Sequence, residues 1–247
     1  MGLPVDHEAA TGAVADVALF RAPKRGHTLA ECEDAVAASS AATWPLHAAV
    51  ADGATEAAFA RRWAHLLVDG WVDAAPINPP EFAQAVAAWR RQWKQDVAGR
   101  VQDQPWYAAA KAEQGAFAAL LGLTVQASGT WQAAGIGDCG LFQLRGATVR
   151  TAWPFTDPAA FTQRPTLLAS RSGPSDRGPE VTQGTWAAGD TFVLASDALA
   201  AWLLRVGPTA ARAVAADSFA EAVRAARTDG ALRNDDVALV RITVHAT

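Results

Sequence analysis

The sequence predicts an α+β fold in which β-sheets are covered by helices. Both halves of the 247-residue chain contain short apolar runs that are typical of strands. Between these runs, apolar residues recur with helical spacing after residue 55 and again after residue 197. Runs of strands interrupted by groups of helices favour layered sheets and helices. The length fits one large domain, and we expect a single domain over residues 1–247.

The composition narrows the class of protein. Apolar residues make up 51% and charged residues 19%, as in globular proteins. The net charge of −4, without a long basic run, argues against nucleic acid or an anionic membrane as the main partner. Two cysteines build neither a disulfide framework nor a closed zinc site. With no signal-peptide pattern and no apolar run of about 20 residues, we expect a reduced cytoplasmic protein.

The first strands alternate with polar segments. A strand is predicted at 14–20, followed by a polar loop at 21–30. Acidic residues at 31–34 lead into a short strand, and residues 46–52 form a buried strand that ends at an aspartate followed by Gly53.

Two amphipathic helices follow. Thr55 is a suitable N-cap, and the spacing of Phe59, Trp63, Leu66 and Leu67 predicts a helix that ends near Gly70. A second helix should begin after the prolines at 79–80. Its apolar stripe, which we interpret as core packing, consists of Phe82, Val86, Trp89, Trp93 and Val97. The basic residues outside this stripe are expected on a solvated face: Arg90, Arg91 and Lys94.

The second half contains most of the short strands. Residues 108–123 could be helical, or 116–127 could be a strand, and the pattern does not decide between them. Further strands are predicted at 131–137, 141–144, 148–151, 191–197 and 237–244, with helical patterns at 198–204 and 209–227. Residues 152–190 have five prolines and no clear period, which predicts a mobile surface flap.

Acidic residues stand beside several of these apolar runs: Asp34, Asp52, Asp138, Asp197 and Asp235. A single Asp-Gly is ordinarily a turn, and an aspartate after a strand is often a helix cap. Several such acids together also fit a metal site that the fold assembles. Carboxylates without histidine or cysteine ligands favour Mg²⁺ or Mn²⁺, and two such ions can activate water and clamp a phosphoryl group.

The order of these motifs resembles the metal-dependent type-2C protein phosphatases (the PPM family), in its bacterial single-domain form. The motifs are Glu33-Asp34, Val50-Ala51-Asp52-Gly53, Gly135-Ile136-Gly137-Asp138-Cys139, Leu194-Ala195-Ser196-Asp197 and Asn234-Asp235-Asp236-Val237. The resemblance extends from about residue 14 to residue 244. It implies a four-layer α-β-β-α sandwich, with two central antiparallel sheets flanked by helix pairs, and a strand at 116–127.

The resemblance also implies a set of metal-site residues: Glu33, Asp34, Asp52, Gly53, Asp138, Asp197 and Asp235. Asp52 would bridge two metals, and the carbonyl of Gly53 would bind one of them. Asp197 and Asp235 would ligate the other, and Asp138 together with Asp197 would serve a weaker third. The catalytic residues would be Asp52, Asp197 and Asp235. The acidic pair at 33–34 would hold or orient metal-bound water, which requires the chain to bend there because neighbouring strand side chains face opposite ways.

The implied activity is hydrolysis of phosphoserine and phosphothreonine in proteins by a hydroxide that two Mn²⁺ or Mg²⁺ ions activate, without a covalent phosphoenzyme. The partner would be a phosphoprotein substrate of a serine/threonine kinase. The alternative is a non-catalytic signalling or scaffold domain that keeps the fold.

Some positions depart from the family pattern. Leu29 and Ala30 occupy the region of an arginine that often grips phosphate, and Ala54 replaces a histidine proposed as general acid in many eukaryotic members. Substitute phosphate contacts could come from Lys24, Arg25, His27, Arg164, Arg171 or Arg177, although the last three also fit solvated loop charges. We interpret Cys32 and Cys139 as small buried hydrophobes and regard His47 and His65 as non-catalytic.

Overall fold

Two antiparallel sheets pack face to face between two layers of helices. The computed structural model describes residues 13–54, 59–101, 114–161, 165–173, 177–215 and 217–246. The predicted four-layer α-β-β-α architecture is confirmed. In the parts of the chain that the structure describes, no helix has the length and apolar character needed to cross a membrane.

The first sheet has five strands, in the spatial order β1-β11-β10-β6-β7. Its strands are β1 (Ala13–Ala22), β6 (Gly140–Arg145), β7 (Thr148–Trp153), β10 (Asp190–Ala195) and β11 (Val237–Ala246).

The second sheet has six strands, in the order β2-β3-β4-β5-β9, with the short β8 paired to β4. Its strands are β2 (Ala35–Ala38), β3 (Leu46–Gly53), β4 (Phe117–Val125), β5 (Thr130–Ile136), β8 (Leu168–Ala169) and β9 (Glu180–Thr185). The open choice at 108–127 is thus decided in favour of a strand at Phe117–Val125, while residues 108–113 lie outside the described residues.

Apolar side chains from both sheets fill the space between them. Val50 and Leu121 of the second sheet meet Phe192, Val240 and their neighbours of the first in one buried cluster. Because side chains alternate along a strand, the opposite face of each sheet is left for a helical layer.

The helices cover those outer faces in pairs. On the second sheet lie α1 (Ala60–Ala74) and α2 (Pro79–Val101), and on the first lie α3 (Asp197–Val206) and α4 (Phe219–Thr228). Short 3-10 helices span Pro158–Ala160 and Pro208–Ala213, so the helical pattern predicted from residue 209 begins as a 3-10 helix. The apolar stripe predicted for α2 is buried throughout.

Two details of the helices differ from the sequence prediction. Gly70 does not end α1, which continues to Ala74. A Cβ at Gly70 would lie 2.0 Å from Nε1 of Trp89, so this glycine lets the two helices pack closely. Arg90 is not simply solvated, because its Nε donates to the carbonyl of Ala169 at 3.0 Å. The predicted cap Thr55 lies outside the described residues.

The segment at 152–190 is less irregular than predicted. β9 lies inside it and pairs with β5 along its whole length, from Thr130 opposite Thr185 to Gly135 opposite Glu180. β8 adds a short pairing to β4. The alternation of apolar and polar residues that indicates a strand is weak in β9, which contains a glycine and several polar residues. Part of the predicted flap therefore belongs to the second sheet.

Candidate metal centre

Acidic residues from separate segments meet at one edge of the two sheets. In the second sheet, Ala35 pairs with Ala51, which places Asp34 and Asp52 next to each other at the ends of β2 and β3. Asp34 is 1% exposed. Residues 33–34 precede β2 in irregular chain, so their side chains are not constrained to the alternation of a strand.

The first sheet contributes its acids at the same edge. Gly140 pairs with Ala195, so Asp138 just before β6 and Asp197 just after β10 are neighbours. The Ser196 N–H donates to the Ala238 carbonyl at 3.1 Å, which fixes the end of β10 beside the start of β11. Asp235, two residues before β11, completes the group.

Burial and the neighbouring acids raise the pKa of three of these carboxyl groups, Asp34, Asp52 and Asp138. Burial raises the pKa of Asp52 well above its ordinary value, and Asp34, Asp197 and Asp138 add to the effect. Burial likewise raises the pKa of Asp34, against a hydrogen bond with Ser196. The pKa of Asp138 is raised to about 7, first by burial and then by Asp197. Several acids thus share a space in which they cannot all carry charge at low cost.

The donor set fits a hard divalent cation. Among the described residues, Asp34 Oδ2 and Asp138 Oδ2 are buried without a hydrogen-bond partner. Within the same residues, no group of three or more histidine, cysteine or acidic side chains has the arrangement needed to hold a metal ion. Mg²⁺ commonly keeps several waters and takes only one or two carboxylates, so an incomplete oxygen shell is compatible with it.

Gly53 allows the two acidic segments of the second sheet to approach each other closely. A Cβ at this position would lie 2.8 Å from the carbonyl oxygen of Glu33. Any other residue would push the backbone of β3 away from the acidic pair at 33–34. The Glu33 side chain faces Lys24, whose Nζ lies 3.5 Å from Oε2.

Arg233 joins two of the predicted metal ligands and was not anticipated from the sequence. Its Nη2 donates to Asp197 Oδ2 at 2.5 Å and lies 2.9 Å from Asp235 Oδ2. Burial lowers the pKa of Arg233, but the attraction of Asp197 and Asp235 outweighs it and the pKa is raised. Its only signal in the sequence is its position two residues before Asp235.

The sequence analysis also did not identify Asp236 and Arg227. Their hydrogen bonds connect the segment at 22–33 to the start of β11. Asp236 accepts hydrogen bonds from the Lys24 N–H at 2.7 Å and from the Glu33 N–H at 2.9 Å. The Arg227 guanidinium donates to the carbonyls of Pro23 at 2.7 Å and Asp235 at 2.5 Å. These contacts hold the segment that leads to the acidic pair at 33–34 against the segment that contains Asp235.

The substitute phosphate contacts proposed from sequence have different surroundings. Lys24 lies beside the acidic pair at 33–34. Arg25 is turned to Thr228, with Nη2 3.1 Å from Oγ1. Arg171 lies against Gly115, and Arg164 is outside the described residues. His27 is exposed in the loop.

Arg177 lines a cavity of about 180 Å³ that reaches Asp138. Trp153, Phe155 and Glu180 contribute to the same wall. This cavity gives the segment at 152–190 a direct connection to the acidic edge.

Both cysteines are buried as predicted, and two of the histidines lie beside other polar side chains. Cys32 and Cys139 are buried and unpaired to each other, and burial raises the pKa of both thiols. His47 Nδ1 lies 3.1 Å from Thr124 Oγ1. His65 lies 3.5 Å from Arg21, and burial lowers its pKa to about 4.

Comparison with known proteins agrees with the fold. No protein with a curated description matches the chain in sequence. Solved structures do match its fold. The catalytic domain of the serine/threonine phosphatase PstP shares 20% identity over 94% of this chain and 99% of its own, with a TM-score of 0.60. Stp1 from Staphylococcus aureus shares 12% identity over 94% and 96%, with a TM-score of 0.64. RsbX shares 14% identity over 94% and 96%, with a TM-score of 0.52.

The family itself is identified by sequence. The sequence profile described as Protein phosphatase 2C matches residues 24–238, which include every acidic residue of the edge. The chain therefore belongs to the protein phosphatase 2C family.

Proposed function

We propose that this chain is a Mn²⁺- or Mg²⁺-dependent phosphatase that hydrolyses phosphoserine and phosphothreonine in proteins. The observation that carries the proposal is the convergence of acids from five separate segments on one edge: Asp34, Asp52, Asp138, Asp197 and Asp235. A cluster of this kind, with raised pKa values at Asp34, Asp52 and Asp138 and unpaired buried oxygens, is better suited to binding cations than to stabilising the fold.

The structural relatives support the choice of metal. The PstP structure that resembles this chain is a complex with two manganese ions, and the RsbX structure is a complex with magnesium. We extend the same metals to this chain because its acidic edge offers carboxylate oxygens.

Different acids of the edge would coordinate the two cations. Both cations would share Asp52, the Gly53 carbonyl would bind one of them, and Asp197 and Asp235 would ligate the other. Glu33 and Asp34 would orient water at this edge, and Asp138 with Asp197 would hold a weaker third cation. When bound, such cations supply a water of lowered pKa and neutralise charge on the phosphoryl oxygens.

Phosphate binding needs a cation from the protein. Lys24 is our candidate, because its ammonium lies beside Glu33 and its backbone is fixed by Asp236. Ala54 carries no group that could protonate the leaving oxygen, so we assign no protein side chain to that step.

The test is hydrolysis of a phosphoserine peptide by the purified chain with Mn²⁺. We expect the native chain to release phosphate and to stop when EDTA removes the metal. The Asp197→Asn variant should release none. Asp73→Asn is the matched control, since Asp73 is exposed on α1, away from the acidic edge. Turnover that is insensitive to EDTA, or equal in Asp197→Asn, would refute the proposal.

A non-catalytic domain of the same family is the second candidate. Two observations favour it: the described residues hold no complete metal cage, and Arg233 already pairs with two of the acids. Binding of Mn²⁺ and of phosphopeptide without phosphate release would select this candidate over the enzyme.

A further inference from the structure

The positively charged side chain of Arg233 contacts two carboxylates that we assign as metal ligands. The guanidinium contacts Asp197 at 2.5 Å and Asp235 at 2.9 Å, so one side chain spans both. About half of the Arg233 side chain, 47%, remains exposed. The pair is therefore accessible from solvent and is not sealed in the core.

The backbone keeps Arg233 close to these acids. Arg233 and Asp235 belong to one tight turn, in which the Asp235 N–H donates to the Arg233 carbonyl at 3.0 Å. Leu232, just before it, is buried in the cluster beneath α3 and α4. The buried Arg227 guanidinium holds the Asp235 carbonyl from the other side. The side chain of Arg233 thus starts from a fixed point within reach of the edge.

Two cations cannot use the same carboxylates without opposing each other. A guanidinium within hydrogen-bonding distance of Asp197 and Asp235 neutralises part of the charge that attracts a divalent ion. Whether the side chain moves away or stays when the ion binds, its positive charge lowers the affinity for that ion. Because several acids of the edge have no contact with Arg233, the edge keeps enough negative charge to bind a metal.

We propose that Arg233 is an internal competitor of the divalent metal, which stabilises the metal-free acidic edge and sets how much metal is needed to load it. The inference rests on the metal site of the proposed function. It makes Arg233 a positioning residue that acts through Asp197 and Asp235.

The test is calorimetric titration of the full chain with Mn²⁺ in the absence of any substrate. Relative to the native chain, we expect Arg233→Ala to bind Mn²⁺ roughly two- to fivefold more tightly, the range expected for losing a partly exposed ion pair. Arg233→Lys, which keeps the charge but replaces the guanidinium by an ammonium group, should have a Mn²⁺ affinity between those of the native chain and Arg233→Ala. Arg150→Ala, at an exposed position of β7, is the control and should equal the native chain.

Thermal unfolding gives a second measurement. Without metal, Arg233→Ala should melt below the native chain, because the acids lose their counter-charge. Saturating Mn²⁺ should then raise the Tm of the variant by more than it raises that of the native chain.

Each outcome decides the inference. If Arg233→Ala binds Mn²⁺ and the native chain does not, the result would support the inference in its strongest form. Equal or weaker Mn²⁺ affinity in Arg233→Ala, or binding by neither chain, would overturn it. A native chain that binds Mn²⁺ but releases no phosphate would refute the enzyme while leaving the competition intact.

Discussion

Strand β10 has an acid at each end, and the two differ in what surrounds them. At its start, Asp190 is fully buried and receives hydrogen bonds from Arg145 at 2.7 and 2.8 Å, Gln143 at 2.8 Å and the Ala187 N–H at 3.0 Å. Burial alone would raise its pKa, but these donors outweigh burial and the pKa of Asp190 is lowered. Just beyond the end of the strand, Asp197 lies among other acids.

This difference in hydrogen-bond donors distinguishes an acid that stabilises the fold from acids whose charge a ligand would compensate. Asp190 is surrounded by donors, so its charge is compensated within the protein. At the other end, Asp34 and Asp138 each keep a buried oxygen without a partner among the described residues. The uncompensated charge there disfavours the metal-free fold, and a bound cation would relieve it.

The largest effect should come from Asp52→Asn. Since Asp52 is assigned between the two cations, phosphatase activity with Mn²⁺ should fall roughly 10²- to 10³-fold, as when one preorganised electrostatic group is lost. The metal-free variant should nevertheless melt at a higher temperature than the native chain, because one of the mutually repelling carboxyls becomes neutral. Peptide assays and thermal melts in EDTA measure the two effects. A variant that is both inactive and less stable without metal would mean that Asp52 stabilises the fold as Asp190 does.

The next effect concerns the contact between the acidic edge and the segment at 22–33. Asp236→Ala leaves the N–H groups of Lys24 and Glu33 without their acceptor, which should lower the free energy of unfolding by about 2 kcal/mol. Mn²⁺ affinity should fall roughly tenfold or more, as for other groups that orient metal ligands. Denaturant unfolding and Mn²⁺ titration check the two effects. The exposed Asp217, replaced by alanine, is the control. Unchanged Mn²⁺ affinity would show that the segment is positioned by other contacts.

The sequence predicts those parts of the structure that depend on local pattern and on motif order. Alternation and apolar runs located most strands, and the stripe that includes Trp89 and Trp93 located α2. The order of the acidic motifs, through its resemblance to the type-2C phosphatases, indicated which aspartates would meet.

What the sequence did not predict depends on contacts between distant residues. Gly70 looks like a helix end in sequence, and only the position of Trp89 shows that it is a packing contact. β9 has little alternation and owes its place to pairing with β5. Arg233 and Asp236 resemble ordinary loop charges until the fold brings them to Asp197 and Glu33.

The smallest effect tests the other end of β10. Asp190→Asn should lower the Tm by roughly 2–4 °C at pH 7 and leave Mn²⁺ affinity and activity unchanged. The pKa of Asp190 is lower in the folded chain than its ordinary value of 3.8. Its stabilising contribution is therefore present above that value and is lost as the pH falls through the folded pKa. The difference in Tm between variant and native chain should accordingly be largest near neutral pH and shrink below about pH 3.8. Thermal melts across this range measure it, and a difference that does not shrink in acid would mean that Asp190 acts through packing instead of charge.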